Sequence, residues 1–210
     1  EYEYFKKKLG FSLRSDRLAY DAVAVAMNKT AKDTLLTVND IKELLAGTSK
    51  LSYKIVLDGL NATSTVRFAL DSILRGKPFG KKVQAARSSQ GVIDYVASDP
   101  NAIGLLGVNW VGKKEDDNQL SFSDKIRLAA IRCDLCENQP YVYPFQGNIA
   151  LGRYPFIRGL FYILKENGSG LGSGFLNFMN YERGQLVFKR AYLLPAQMRF
   201  DVRNMSIEMK

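Results

Sequence analysis

The chain has 210 residues, 46% of them hydrophobic, which is enough for a real core in one domain or two lobes. It contains no apolar run of roughly eighteen residues that would read as a membrane-spanning helix. Histidine is absent, which excludes His-based triads, His general bases and most catalytic zinc sites. A formal charge of +9 suits nucleic acid, an anionic surface or a small anion, and it also suits an ordinary basic surface.

The N-terminal EYEYFKKKLGF is charged and has no apolar core of a secretion signal, so no signal peptide is expected in it. RLAYDAVAVAMN reads as a buried strand ending in the turn NKTAKD. LTVNDIKELLAG reads as a helix, with Thr37 as N-cap, Val38, Ile41, Leu44 and Leu45 on its apolar face, and Gly47 as its stop. YKIVLDG is a strand that feeds the stretch LNATSTVRFALDSIL. KKVQAARSS reads as a further strand, QGVIDYVASDP as a short helix, and NAIGLLGVNWVG as a buried strand. The alternation from Tyr53 to Gly112 argues an α/β sheet with mainly parallel strands. KKEDDNQLSFSD is expected to be a polar loop and KIRLAAI one strand. GNIALGRYPFIRGLFYILKE reads as strand, bend, strand, the bend falling at Pro155. GLGSGFLNFMNYERGQLVFKRAYLLPA is helix-rich with a break near Gly184, and MRFDVRNMSIEMK is extended.

The densest polar chemistry lies in VLDGLNATSTVRFALDSIL. Five of the eight residues from Asp58 to Thr65 carry polar side chains, and the apolar positions Val66, Ala69, Leu70, Ile73 and Leu74 then follow at helical spacing. A strand, a tight polar loop and a helix form the junction where open α/β sheets bind ligands. The first helical amides lack intrahelical partners and carry the positive end of the helix dipole. Hydroxyls of Thr63, Ser64 and Thr65, with Arg67 in the first turn, would complete an oxyanion cradle. The loop lacks the Gly-Lys-Ser/Thr ending of a Walker-type phosphate loop. On chemistry alone, an anion site and a generously endowed N-cap both remain open.

Other motifs say less. RSSQGVID is a second loop-to-helix start with hydroxyls, ordinary as a cap and a candidate for binding. ENGSGLGSGF has a Ser where a dinucleotide loop needs its last Gly and lacks the following strand–helix–strand unit, so it reads as a turn capping a helix from Phe175. The lone CDLC, Cys133 to Cys136, has no further Cys or His to build a zinc site, which leaves two loop thiols or a local disulfide. No G-x-S-x-G elbow or paired carboxylates appear, so no catalytic residue, metal ligand or cofactor is expected. Lys and Arg are scattered rather than gathered on one helix, which argues against nucleic acid.

Taken in order, AYDAVAVAMNK, LLTVNDIKELLAG, VLDGLNATSTVRFALDSIL, GVIDYVASDPNAIGLLGVNWVG, YPFIRGLFYIL and GSGFLNFMNYERGQLVFKRAYLLPA resemble the phosphate-binding proteins of ABC transporters, particularly their Bacteroidetes forms. The resemblance implies an α/β fold of the periplasmic binding protein type II class, with two lobes and a ligand cleft between them. It places residues 28–145 in the second lobe and 1–27 with 146–210 in the first, the chain crossing between them twice. The family's Ser-Gly-Thr-like phosphate motif falls on Thr63, Ser64 and Thr65, preceded by Asn61 and Ala62. Arg67 stands in for an Arg that many relatives place before the motif.

Relatives also carry an N-terminal strand and loop with an Asp that accepts the proton of hydrogen phosphate. No position here matches that region, so the first lobe is expected to be incomplete. The implied function is capture of inorganic phosphate and its delivery to an ABC transporter permease, by a monomer without enzymatic activity. The implied location is the periplasm or cell envelope, free or lipid-anchored. The alternatives are a binding protein for another oxyanion and a sensory or interaction module that kept the fold without transport.

Overall fold

A 15-residue strand, β1 (Arg14–Asn28), organises the computed structural model, which describes residues 2–59, 63–112 and 123–197. Its first part pairs antiparallel with β9 (Ile157–Leu164), whose register runs to Ala22 opposite Ile157. β10 (Leu194–Pro195) flanks it on the other side at Ala19 and Tyr20. From Val23 onward the partners change: β5 (Ala102–Gly107) runs antiparallel from Gly107 opposite Val23, and β6 (Ile126–Leu128) takes the other edge. The last seven residues of β1 are all buried, as expected of a strand covered on both faces. That is why AVAVAM shows no polar alternation.

Beyond β5 the sheet continues through β3 (Lys54–Leu57) to β4 (Val83–Ala85), and β3 is parallel to both neighbours. The expected parallel sheet between Tyr53 and Gly112 is present. The crossover from β3 to β4 contains α3 (Ser64–Phe68), which continues as a π-helical turn over Ala69–Ile73. The crossover from β4 back past β3 to β5 contains α4 (Ser89–Ser98). Right-handed crossovers that run in opposite directions place these helices on opposite faces of the sheet. α4 lies so close to β5 that a Cβ at Gly104 would stand 2.6 Å from Val92 Cγ1 and 2.9 Å from Val96 Cγ2. α2 (Val38–Ala46) has the expected ends. Thr37 and Asp40 form a reciprocal capping box, and Gly47 adopts φ 75°, the left-handed conformation that suits glycine.

Three expectations change. KIRLAAI is not one strand, because Ala129 separates β6 from β7 (Ala130–Arg132), and β7 leaves for a small sheet with β2 (Leu35–Leu36) and β8 (Tyr141–Val142). GNIAL is helical: α5 (Gln146–Ala150) follows Phe145, and the Asn148 side chain donates to the Tyr143 carbonyl at 2.9 Å. Gly and Asn are poor strand residues, and here the Asn amide holds a turn instead. The helical region divides at Tyr181 into α6 (Leu171–Asn180) and α7 (Glu182–Arg190), which places the α6 start four residues before Phe175. Gly184 lies inside α7, where an added Cβ would stand 2.5 Å from Met179 Cα, so it permits close packing on the end of α6. The N-terminal EYEYFKKKL contains α1 (Tyr2–Leu9). The EDD loop and the C-terminal MRFDVRNMSIEMK lie outside the described residues.

Cys133 and Cys136 form a disulfide in the turn between β7 and β8, and no described cysteine is free. No described helix is long and apolar enough to cross a membrane.

Candidate oxyanion site

β3 and β4 are parallel neighbours, so the loops after them open at the same edge of the sheet. Their helices leave on opposite faces, which is the arrangement of a ligand-binding switch point. The loop after β3 begins with Asp58, and its carboxylate joins both helix starts. Thr63 Oγ1 donates to Asp58 Oδ1 at 3.1 Å, and Ser89 Oγ donates to Asp58 Oδ2 at 3.0 Å. Thr63 caps α3 by accepting from the Val66 amide at 3.2 Å, and Ser88 caps α4 by accepting from the Gly91 amide at 3.1 Å. Two helix N-termini are thereby held at one carboxylate, with their positive ends converging.

The expected site residues divide by position. Thr63 is the N-cap, and its single hydroxyl proton is engaged by Asp58. Ser64 is exposed at the first helical position, and Thr65 behind it is 1% exposed. The amides of both belong to the opening turn and have no intrahelical carbonyl to bond. Arg67 points into solvent one turn later, and Asn61 and Ala62 lie outside the described residues. Sequence reading missed Asp58 and Ser89 as partners of this site. The adjacency of the two strands would have revealed them, since it sets RSSQGVID beside LDG. Phe68 of α3 meets Phe156 edge-on at 6.3 Å, and Phe156 meets Tyr154 edge-on at 6.0 Å, which fixes α3 against the segment entering β9. Tyr154 is fully buried and donates to the Val23 carbonyl at 2.9 Å; burial pushes its hydroxyl well above the ordinary tyrosine range. Among the described residues no cluster of three or more His, Cys, Asp or Glu side chains could hold a metal.

ENGSGLGSGF is occupied from within. Glu166 Oε2 accepts from the Ser173 amide and hydroxyl, each at 2.7 Å, and Oε1 accepts from the Gly172 amide at 3.3 Å. An internal carboxylate thus takes the place at the α6 start that a phosphate would need. Ser173 holds the Glu166 carboxyl below the usual range, first through its hydroxyl and then through its amide. A depressed folded-state pKa adds stability that is present above the unfolded value and lost as pH falls through the folded one. Thermal melts of Glu166→Gln should lie below those of the parent at pH 7, and the gap should narrow as pH drops from about 5 into strong acid. A gap that is constant with pH would show that the charge is immaterial.

The PBP superfamily domain model matches residues 1–182. The chain belongs to the PBP superfamily. No curated protein matches it. Among solved structures, this superfamily member is similar to a candidate phosphate ABC transporter substrate-binding protein with bound phosphate from Clostridium perfringens. The TM-score is 0.70 at 19% identity, over 91% of this chain and 74% of that one. PstS from Borrelia burgdorferi gives 0.62 at 16% identity, over 90% and 74% of the two chains. An ABC-type phosphate transport receptor from Vibrio cholerae gives 0.65 at 15%, over 87% and 72%. These TM-scores establish the fold, the α/β architecture of type II substrate-binding proteins. Family and fold alike are those of binding proteins.

Proposed function

We propose that this chain binds inorganic phosphate in a cleft between two lobes and delivers it to the permease of an ABC transporter, without catalysing a reaction. The observation that carries the reading is the convergence of two helix starts on Asp58 at a sheet switch point. The phosphate-binding proteins that share the fold support the choice of ligand. The lobes are residues 28–145 and residues 1–27 with 146–210, joined by β1 and the segment entering β9. The change of partners on β1 at Ala22 and Val23 supports a crossing within this strand, five residues before the boundary at residue 28. Closure would strip water from the anion while fixed donors replace it, and the permease would read the closed form. The protein acts as a monomer in the periplasm or cell envelope, free or lipid-anchored; the Cys133–Cys136 disulfide suits an oxidising compartment.

Calorimetric titration with phosphate and sulfate tests this reading. Heat with phosphate supports it, and silence with phosphate overturns it. Ser64→Ala or Thr65→Ala should each weaken phosphate binding by about 1–3 kcal/mol, the cost of leaving a charged oxygen short of a donor. Unchanged affinity in both would remove this loop from the site.

A further inference from the structure

Arg158, on β9 opposite Asp21 of β1, stands where β1 changes sheets. Its Nε donates to Asp21 Oδ2 at 2.7 Å and its Nη2 pairs with the same oxygen at 2.5 Å, while Asp21 Oδ1 accepts from the Ala22 amide at 2.7 Å. The pair is largely withdrawn from solvent, with side-chain exposures of 16% and 15%. Nη1 is buried and meets no acceptor among the described residues. One other buried side-chain nitrogen shares that condition, Nε of Arg17, but that guanidinium lies 4.5 Å and 4.8 Å from the ring centroids of Tyr20 and Phe161, whose π faces receive it. Leaving a charged donor buried without a partner is costly unless something supplies the acceptor.

The position says what that acceptor is. A Cβ at Gly107, the last residue of β5, would stand 3.2 Å from Arg158 Nη2 and 2.6 Å from Asn109 Oδ1, so Arg158 and Asn109 both lie over this glycine. Gly104 faces α4; Gly107, three residues later on an alternating strand, faces the opposite side, which is the side of α3. Leu57 pairs with Leu105, and that register, extended two residues, sets Gly107 beside Gly59, one strand spacing of about 5 Å away. Arg158 and Asn109 therefore stand at the same edge, and on the same face, as the opening of α3.

We propose that Arg158 Nη1, assisted by the Asn109 amide, donates to the bound oxyanion and forms the half of the site that the helix starts do not supply. The proposal rests on the phosphate reading above. Asp21 neutralises the guanidinium and aims it, leaving a planar donor edge that suits a tetrahedral oxyanion.

The test is phosphate titration of the full chain, its Arg158→Gln, Asn109→Ala and Asp21→Asn variants, with thermal melts of each. Arg158→Gln should weaken binding by about 10- to 100-fold, and Asn109→Ala by a few-fold with an unchanged melt. Asp21→Asn should keep or tighten binding, because it removes a negative charge and leaves the donor. If the pair is only a brace between strands, Asp21→Asn and Arg158→Gln will weaken binding alike, and the proposal falls. It falls alone if the parent binds phosphate and both Arg158→Gln and Asn109→Ala match it. A parent silent with phosphate overturns the functional reading and this inference together. Should Arg158→Gln fail to fold, Asn109→Ala against Asp21→Asn still decides.

Discussion

Asp58→Ala is expected to lower the stability of the protein by about 2–4 kcal/mol and to weaken phosphate binding at least as much as any single hydroxyl variant. The carboxylate receives the hydroxyls of Thr63, which caps α3, and of Ser89, which opens α4 and lies 31 residues beyond Asp58 in sequence. Ser89 is 8% exposed, so its hydroxyl has little water to turn to once Asp58 is gone. Thr63 keeps its bond from the Val66 amide, so α3 should survive; what is lost is the shared anchor that holds it in register with α4. Denaturant titration and calorimetry on the same preparation separate the two effects. A variant that loses less than about 0.5 kcal/mol, within the range of ordinary surface changes, would show that the helix starts are held by packing alone.

Gly104→Val is expected to cost about 3 kcal/mol and to disturb the site only through α4. Gly104 pairs with Ala26 of β1 in a fully buried strand, and Val92 and Val96 of α4 fill the space that a side chain would need. Both valines belong to a helix whose inner face includes buried Ile93, so there is no solvent side into which they can turn. Relief requires α4 to move off the sheet. That movement would carry Ser88 and Ser89 with it, so some loss of phosphate affinity should accompany the loss of stability. A melting curve matching that of the parent would mean that the gap between α4 and β5 can widen freely.

Local chemistry explains which features could be read without the structure. α2 was legible to its ends because Thr37, Asp40 and Gly47 are all within the helix or beside it. The parallel sheet was legible because buried strands and amphipathic helices alternate at short spacing. KIRLAAI was misread because the point where its strand changes sheets, at Ala129, is set by partners elsewhere: the Ala129 amide bonds to the Val25 carbonyl and the Ala130 amide to the Thr34 carbonyl. GNIAL carried the apolar spacing of a strand, while Asn148 had a local alternative that no periodicity reveals. At the candidate site, the polar loop and helix start stood out in the sequence. Asp58 as the junction of two helices did not, since Ser89 reaches it only after the sheet has formed.

β1 has a consequence for how far this protein can be divided. It is flanked on both sides along its first part by β9 and β10, and along its last part by β5 and β6. Each group of strands has the same uninterrupted segment as its spine. A cut between Ala22 and Val23 would leave each group its own paired stretch, residues 14–22 for β9 and β10 and residues 23–28 for β5 and β6, and would sever the covalent link that holds the two groups in one strand. The lobes can be told apart on a diagram, but they are one piece of cloth.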